Sequence, residues 1–214
     1  MRPLTLLYQT HSPYARKVLV FAHEAGLADS LEVVHHETSP TRRNEAVYAH
    51  NPLGQVPVLL RPQAPPLFDS DVICAYLDML HTSRKLIPTA GEARWRALRQ
   101  QAVAQGMCES GIAYRWETAR RPQPLRYAPL AEGHAHKLHA AYDWLEQDID
   151  PGEALHIGHI AVATALSWLA FRGLPDFRAA SDGTPRPRLT SWLDGFACRA
   201  SMQATPLSGQ THDA

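Results

Sequence analysis

Cysteine is scarce in this sequence. Its 214 residues hold three, Cys74, Cys108 and Cys198, an odd number at wide spacing that makes neither a disulfide framework nor a zinc site. Three free thiols fit a reducing compartment, so a cytoplasmic protein is expected. Long hydrophobic runs are missing too. The longest, from about Ile157 to Phe171, is interrupted by His159, Thr164 and Ser167 and falls short of the ~20 residues of a membrane span, so it reads as a buried helix. Met1 to Thr10 carries one basic residue and a brief apolar stretch broken by Thr5, too short for the core of a signal peptide. Neither sign of charge is in excess: Lys and Arg number 21, Asp and Glu 21. That balance gives no sign of the basic stripe of a nucleic-acid-binding protein and no reason to expect a membrane surface as partner, so neither partner is expected. No internal repeat is visible.

Apolar material is plentiful, at 45% of residues, in a chain long enough for two small domains. Leu4 to Tyr8 reads as a strand. Ser12-Pro13 then starts a helix, with Ser as N-cap and Pro at the first position, and Gly26 stops it. Leu31 to Val34 is a second strand, and Asn44 to Ala49 a short helix. Val56 to Leu60 is a third strand, Arg61 to Pro66 a proline-rich turn, and Leu67-Phe68 a fourth, very short strand. Asp69-Ser70 caps a helix running to Leu80. This order suits one compact α/β unit over residues 1–80. Residues 81–91, with few bulky apolar side chains, read as a linker. From 92 to 214 strand signals vanish. Helices are expected over Glu92 to about Arg120, Pro129 to Asp148, His156 to Arg172 and Leu189 to Ala200, with a polar, frayed end from Thr205.

Three short segments carry candidate chemistry. The first is Ser12-Pro13-Tyr14-Ala15-Arg16-Lys17-Val18. In thiol oxidoreductases of this topology a cysteine sits at that turn, because a helix N-terminus stabilises a thiolate. A serine there cannot exchange disulfides, but its hydroxyl can donate to a thiolate brought by a ligand; alternatively Ser12 is a helix cap and nothing more. The second is Asn51-Pro52-Leu53-Gly54-Gln55-Val56-Pro57-Val58-Leu59. Val56-Pro57 is a candidate cis bond that turns the Val56 backbone toward an extended peptide ligand, or else an ordinary edge-strand proline. The third is Asp69-Ser70, a helix start suited to a carboxylate and an ammonium together, or to capping alone. Twelve histidines include the groups His134, His136, His139 and His156, His159, but no acidic or cysteine partner falls at a ligand spacing, so no metal site is expected. Tyr114 and Trp116, on the first long helix, read as core ahead of the alternative, the lining of a substrate pocket.

In this order and spacing, the segments resemble the N-terminal motifs of the glutathione transferase superfamily, closest to its serine class. The resemblance covers the whole chain. It implies an α/β thioredoxin-like domain with a mixed four-stranded sheet, followed by an all-α helical domain. It also implies glutathione as cosubstrate, a small electrophilic second substrate and a homodimer. Carried over by position, Ser12 contacts the glutathione sulfur, Val56 beside Pro57 binds the cysteinyl backbone, and Asp69 and Ser70 take the γ-glutamyl end. Gln55 approaches the glycyl end, and Arg42 and Arg43 are candidates for its carboxylate, with the choice left open. The implied reaction is thiolate attack on an electrophilic carbon. Other readings on the same scaffold are a glutathione-dependent peroxidase, dehalogenase or isomerase, or a non-catalytic binding protein. Two departures stand out. Asp69 occupies a position where the family often has Glu. His156 and His159 occupy the start of the apolar helix, where the family has a Ser or Thr cap and an Asp, so a weaker cap is expected there.

Overall fold

The computed structural model describes residues 4–211. Its four strands, β1 (Leu4–Tyr8), β2 (Leu31–His35), β3 (Val58–Arg61) and β4 (Ala64–Leu67), form one mixed sheet in the order β2-β1-β3-β4. β2 runs parallel to β1, while β3 runs antiparallel to both β1 and β4. β1 is central and apolar on both faces. Leu7 packs with Val56, Val58 and Val47, the last from the short helix α2 (Glu45–Tyr48). Alternation along the strand turns Leu4 and Leu6, both buried, to the opposite face. Helices α1 (Pro13–Glu24) and α3 (Ser70–Leu80) pack on each other and bury Val18, Phe21, Ile73 and Leu77 completely. This is the expected thioredoxin-like unit.

Three strands differ from expectation: β2 runs one residue further, to His35, β3 is shifted, and β4 spans Ala64–Leu67 rather than Leu67-Phe68. β3 begins at Val58 rather than Val56, since Pro57 has no N–H to give to a ladder. The segment read as a turn is a hairpin, in which Pro62 presets one φ and Gln63 takes a left-handed φ of 61°. Pro65 and Pro66 sit inside β4, which is possible because β4 is the sheet edge and carries one extra residue against β3 between the Leu59–Leu67 and Arg61–Ala64 pairs, a bulge that interrupts the ladder there.

The chain divides into two compact units, Met1–Arg94 with Ala200–Ala214, and Trp95–Arg199. After α3 the chain is fastened by the buried carboxylate of Asp78. It accepts from the backbone N–H groups of Leu86 (2.9 Å) and Ile87 (3.3 Å), and lies 3.0 Å from His81 Nε2. The long helix α4 (Gly91–Arg115) continues into a π-helical turn at Trp116–Arg120, and α5 (Ala128–Asp148) follows. Next come α6 (Ile157–Phe171), buried along most of its length, and α7 (Pro187–Ala197). Two glycines let α4 and α6 touch. A Cβ at Gly158 would lie 2.7 Å from the Ala97 carbonyl oxygen, and one at Gly111 would lie 2.7 Å from Leu169 Cδ2. An unforeseen short helix, α8 (Ala200–Gln203), packs on α1. The residues after it, expected to fray, are hydrogen-bonded to the first unit as far as Ser208, and residues 212–214 lie outside the described residues.

Candidate functional site

Strand register gathers the three motifs at one end of the sheet. Leu7 pairs with Val58 and Leu59 with Leu67. The end of β1, the start of β3 and the end of β4 therefore lie side by side. Ser12 follows β1, Gln55-Val56-Pro57 precedes β3, and Asp69-Ser70 follows β4. Lys17 of α1, nearly buried, makes a close ion pair with Asp71 of α3 and ties the first turns of the two helices together.

Ser12 is the N-cap of α1. Its Oγ accepts from the Ala15 N–H at 3.2 Å, and Pro13 fills the first helical position. A hydroxyl that accepts still holds its proton, and no acceptor for it is present among the described residues. The side chain is therefore both a cap and an available donor at the positive end of a 12-residue helix. Val56–Pro57 is cis, as expected. The Val56 N–H and C=O enter no hydrogen bond among the described residues. Gln55 is exposed, and its carbonyl accepts from Asn51 Nδ2 at 2.8 Å. Asp69 is exposed and caps α3 with one carboxylate oxygen, which accepts from the Asp71 N–H (3.1 Å) and the Val72 N–H (3.4 Å). Its second oxygen is free of protein donors among the described residues. Ser70 is buried at the first turn, and its hydroxyl has no hydrogen-bond partner among the described residues.

Several polar residues around this end were not read from the sequence as site residues. Arg16, one turn into α1, is 7% exposed and donates to the Met202 carbonyl at 3.2 Å. Burial raises the Tyr8 hydroxyl above its usual range, with Arg16 pulling the other way. Gln9 Nε2 donates to Glu37 at 2.8 Å, and His35 Nε2 lies 2.7 Å from the same carboxylate. Burial pushes Glu37 up, but these bonds and the neighbouring His11 outweigh it and hold the carboxyl below its ordinary range. Arg43 is engaged with Glu45 at 2.5 Å and stacks over Tyr48, which leaves Arg42 the less committed of the pair. Cys74 is no substitute nucleophile: burial pushes its thiol up to about 12.

Glu153 is the acidic partner of His156 and His159 that spacing did not reveal; its carboxylate lies 3.4 and 3.7 Å from their Nε2 atoms. The arrangement is a helix cap. His156 Nδ1 accepts the Gly158 N–H at 3.1 Å, so its ring proton sits on Nε2, facing Glu153. Arg96 Nε, 2.9 Å from Glu153, already neutralises that carboxylate. Burial and then the stacked His156 ring, 3.7 Å away, push His159 down to about 3. Histidine thus does cap this helix. Tyr114 and Trp116 are half-buried rather than core. Tyr114 lines an open cleft of about 410 Å³ with Glu117, Arg126 and Glu132, while Arg120 covers the Trp116 ring at 4.0 Å.

A thioredoxin-like unit with a serine at the start of α1, followed by a helical unit, defines a fold shared with known proteins. Residues 11–80 match the family model for the glutathione S-transferase N-terminal domain. A glutathione transferase family member from Pseudomonas fluorescens Pf-5, solved with bound glutathione, is 35% identical, with a TM-score of 0.89 over 96% of this chain and 100% of that one. A structure of a family member from the same bacterium with bound S-(propanoic acid)-glutathione is 34% identical, with a TM-score of 0.85 over the same shares. The uncharacterized GST-like protein YibF of Escherichia coli K12 is 26% identical over 91% of this chain and 94% of its own length. The chain belongs to the glutathione transferase superfamily.

Proposed function

We propose that this protein binds glutathione at the sheet end of its first unit and activates the thiol for attack on a small electrophilic molecule. The observation that carries the reading is Ser12. Its hydroxyl accepts the α1 cap bond and keeps its proton for a ligand. Around it, the unpaired Val56 backbone suits the cysteinyl residue of an extended tripeptide. The α3 N-terminus with Ser70 suits the γ-glutamyl carboxylate, and the free oxygen of Asp69 suits its ammonium. Gln55 and Arg42 stand nearest in type to the glycyl carboxylate. The glutathione and glutathione conjugate held by the Pseudomonas relatives support this reading.

A free thiol ionises near ~8.5, so little of it is thiolate at neutral pH. Lowering that value by about two units needs ~2.7 kcal/mol of preferential thiolate stabilisation. A hydrogen bond from Ser12 and the α1 N-terminus are sources of that size. The thiolate then displaces or adds at the electrophilic carbon, with no general base from the protein. The reading carries a glutathione-holding domain over residues 1–80 and a helical domain from 92 onward, joined through 81–91, with the segment from Ala200 returning to the first unit. It also carries a cytoplasmic homodimer that clears electrophiles; no described helix is long and apolar enough to cross a membrane.

Calorimetric titration with glutathione and with S-methylglutathione tests the binding step, and light scattering on the same sample reads the dimer. Saturable binding of both ligands is expected. Absence of heat with either at millimolar concentration contradicts the reading.

A further inference from the structure

We propose that the C-terminal segment, Ala200 to Thr211, is a clamp that positions the turn carrying Ser12. The inference rests on the reading of Ser12 as the sulfur contact and adds a positioning role that no part of that reading requires.

The segment runs back along α1 from its far end to the Ser12 turn. It starts where Ser201 Oγ donates to Glu24 at 2.5 Å, in the last turn of α1. It then crosses Arg16, whose guanidinium donates to the Met202 carbonyl at 3.2 Å. Thr205 Oγ1 bonds back to the Ser201 carbonyl at 2.8 Å and keeps the segment compact at that point. It ends on Thr10 in a reciprocal pair: the Ser208 N–H donates to the Thr10 carbonyl at 3.2 Å, and Thr10 Oγ1 donates to the Ser208 carbonyl at 2.9 Å. The next residue, Gly209, has a φ of 83°, and a Cβ there would lie 3.2 Å from Thr10 Oγ1 and 3.6 Å from His11 Nδ1. The backbone therefore fits closely against the two residues before Ser12.

The turn needs such support. Thr10, His11 and Ser12 belong to no strand or helix, and the turn's own backbone bond runs from the Ser12 N–H to the Gln9 carbonyl at 3.0 Å. The clamp grips this turn from both sides, at Thr10 before the serine and at Arg16 one helical turn after it. A donor displaced by about 1 Å from a reacting atom loses up to ~100-fold in rate. The clamp thus acts on the sulfur through the position of Ser12, while Val56, Asp69 and Ser70 hold the tripeptide independently of it.

The test compares the wild-type chain with Thr10→Val, which keeps shape and deletes the donor, Thr10→Ser, which restores it, and a chain ending at Thr205. Amide exchange over residues 10–16 is followed in the glutathione-free protein, and the thiol pKa of bound glutathione is followed by thiolate absorbance. In Thr10→Val and the shortened chain, exchange speeds up, the bound-thiol pKa moves toward that of free glutathione and kcat falls ~10-fold, while KM for glutathione stays within about threefold. Thr10→Ser returns all of these toward wild type. Unchanged exchange and unchanged thiol pKa in both variants overturn the clamp, as does a loss confined to KM. A wild-type chain that fails to hold glutathione overturns the functional reading instead, and the exchange measurement then still decides whether the segment holds the turn.

Discussion

Ser12 and Asp69 each do two jobs with different atoms. Ser12 caps α1 with its lone pair and keeps its proton; Asp69 caps α3 with one oxygen and keeps the other. The double role explains why the sequence allowed a capping reading and a ligand reading for both residues: the same side chain satisfies both. The two jobs separate by substitution. Asparagine caps about as well as aspartate, so Asp69→Asn should leave the melting temperature nearly unchanged. It removes an exposed charge worth ~1 kcal/mol to a ligand ammonium, and glutathione affinity should fall about fivefold by calorimetry. A melting temperature that drops while affinity holds would make Asp69 a cap alone. The role of Lys17 is not legible in its motif, because its partner Asp71 lies 54 residues away on a helix whose packing only the fold reveals.

Among the elements, α6 depends on neutral histidine. The unfolded chain protonates His159 near its ordinary 6.5, the folded one only at about 3. Between these values the unfolded state binds more protons, so stability is fully present above about pH 6.5 and falls as pH drops, by up to ~1.4 kcal/mol per unit. Denaturant unfolding from about pH 7 to pH 4 should show that slope, and His159→Gln should flatten it. The same slope in the variant would assign the effect to other groups. The sequence marked the start of α6 correctly and left its cap in doubt, because the tautomer that makes His156 an acceptor is set by Glu153 and Gly158, three residues before and two after. β1, α1 and α3 were legible from local signals alone: apolar runs, Ser-Pro and Asp-Ser starts, a Gly stop. β4 was legible only at its end, Leu67, since Pro65 and Pro66 argue against a strand until the sheet order shows that the strand is an edge.

At the scale of the molecule, the chain order of one α/β unit and then helices was readable because strand signals stop after the linker. The return of Ala200–Thr211 to α1 was not readable, because a pair such as Thr10 with Ser208 closes over 198 residues and leaves no periodic trace. That return brings the C-terminal segment to the turn on which the functional reading depends. The central claim is that this turn presents Ser12 to a thiolate. The most direct test is the turnover of Ser12→Ala with an electrophile at saturating glutathione, per folded molecule. Loss of one charge-assisted hydrogen bond of ~1.5–3 kcal/mol predicts a fall of roughly 10- to 150-fold. Turnover within about twofold of wild type, with the melting temperature lowered by the ~1 kcal/mol of a lost cap, would contradict it.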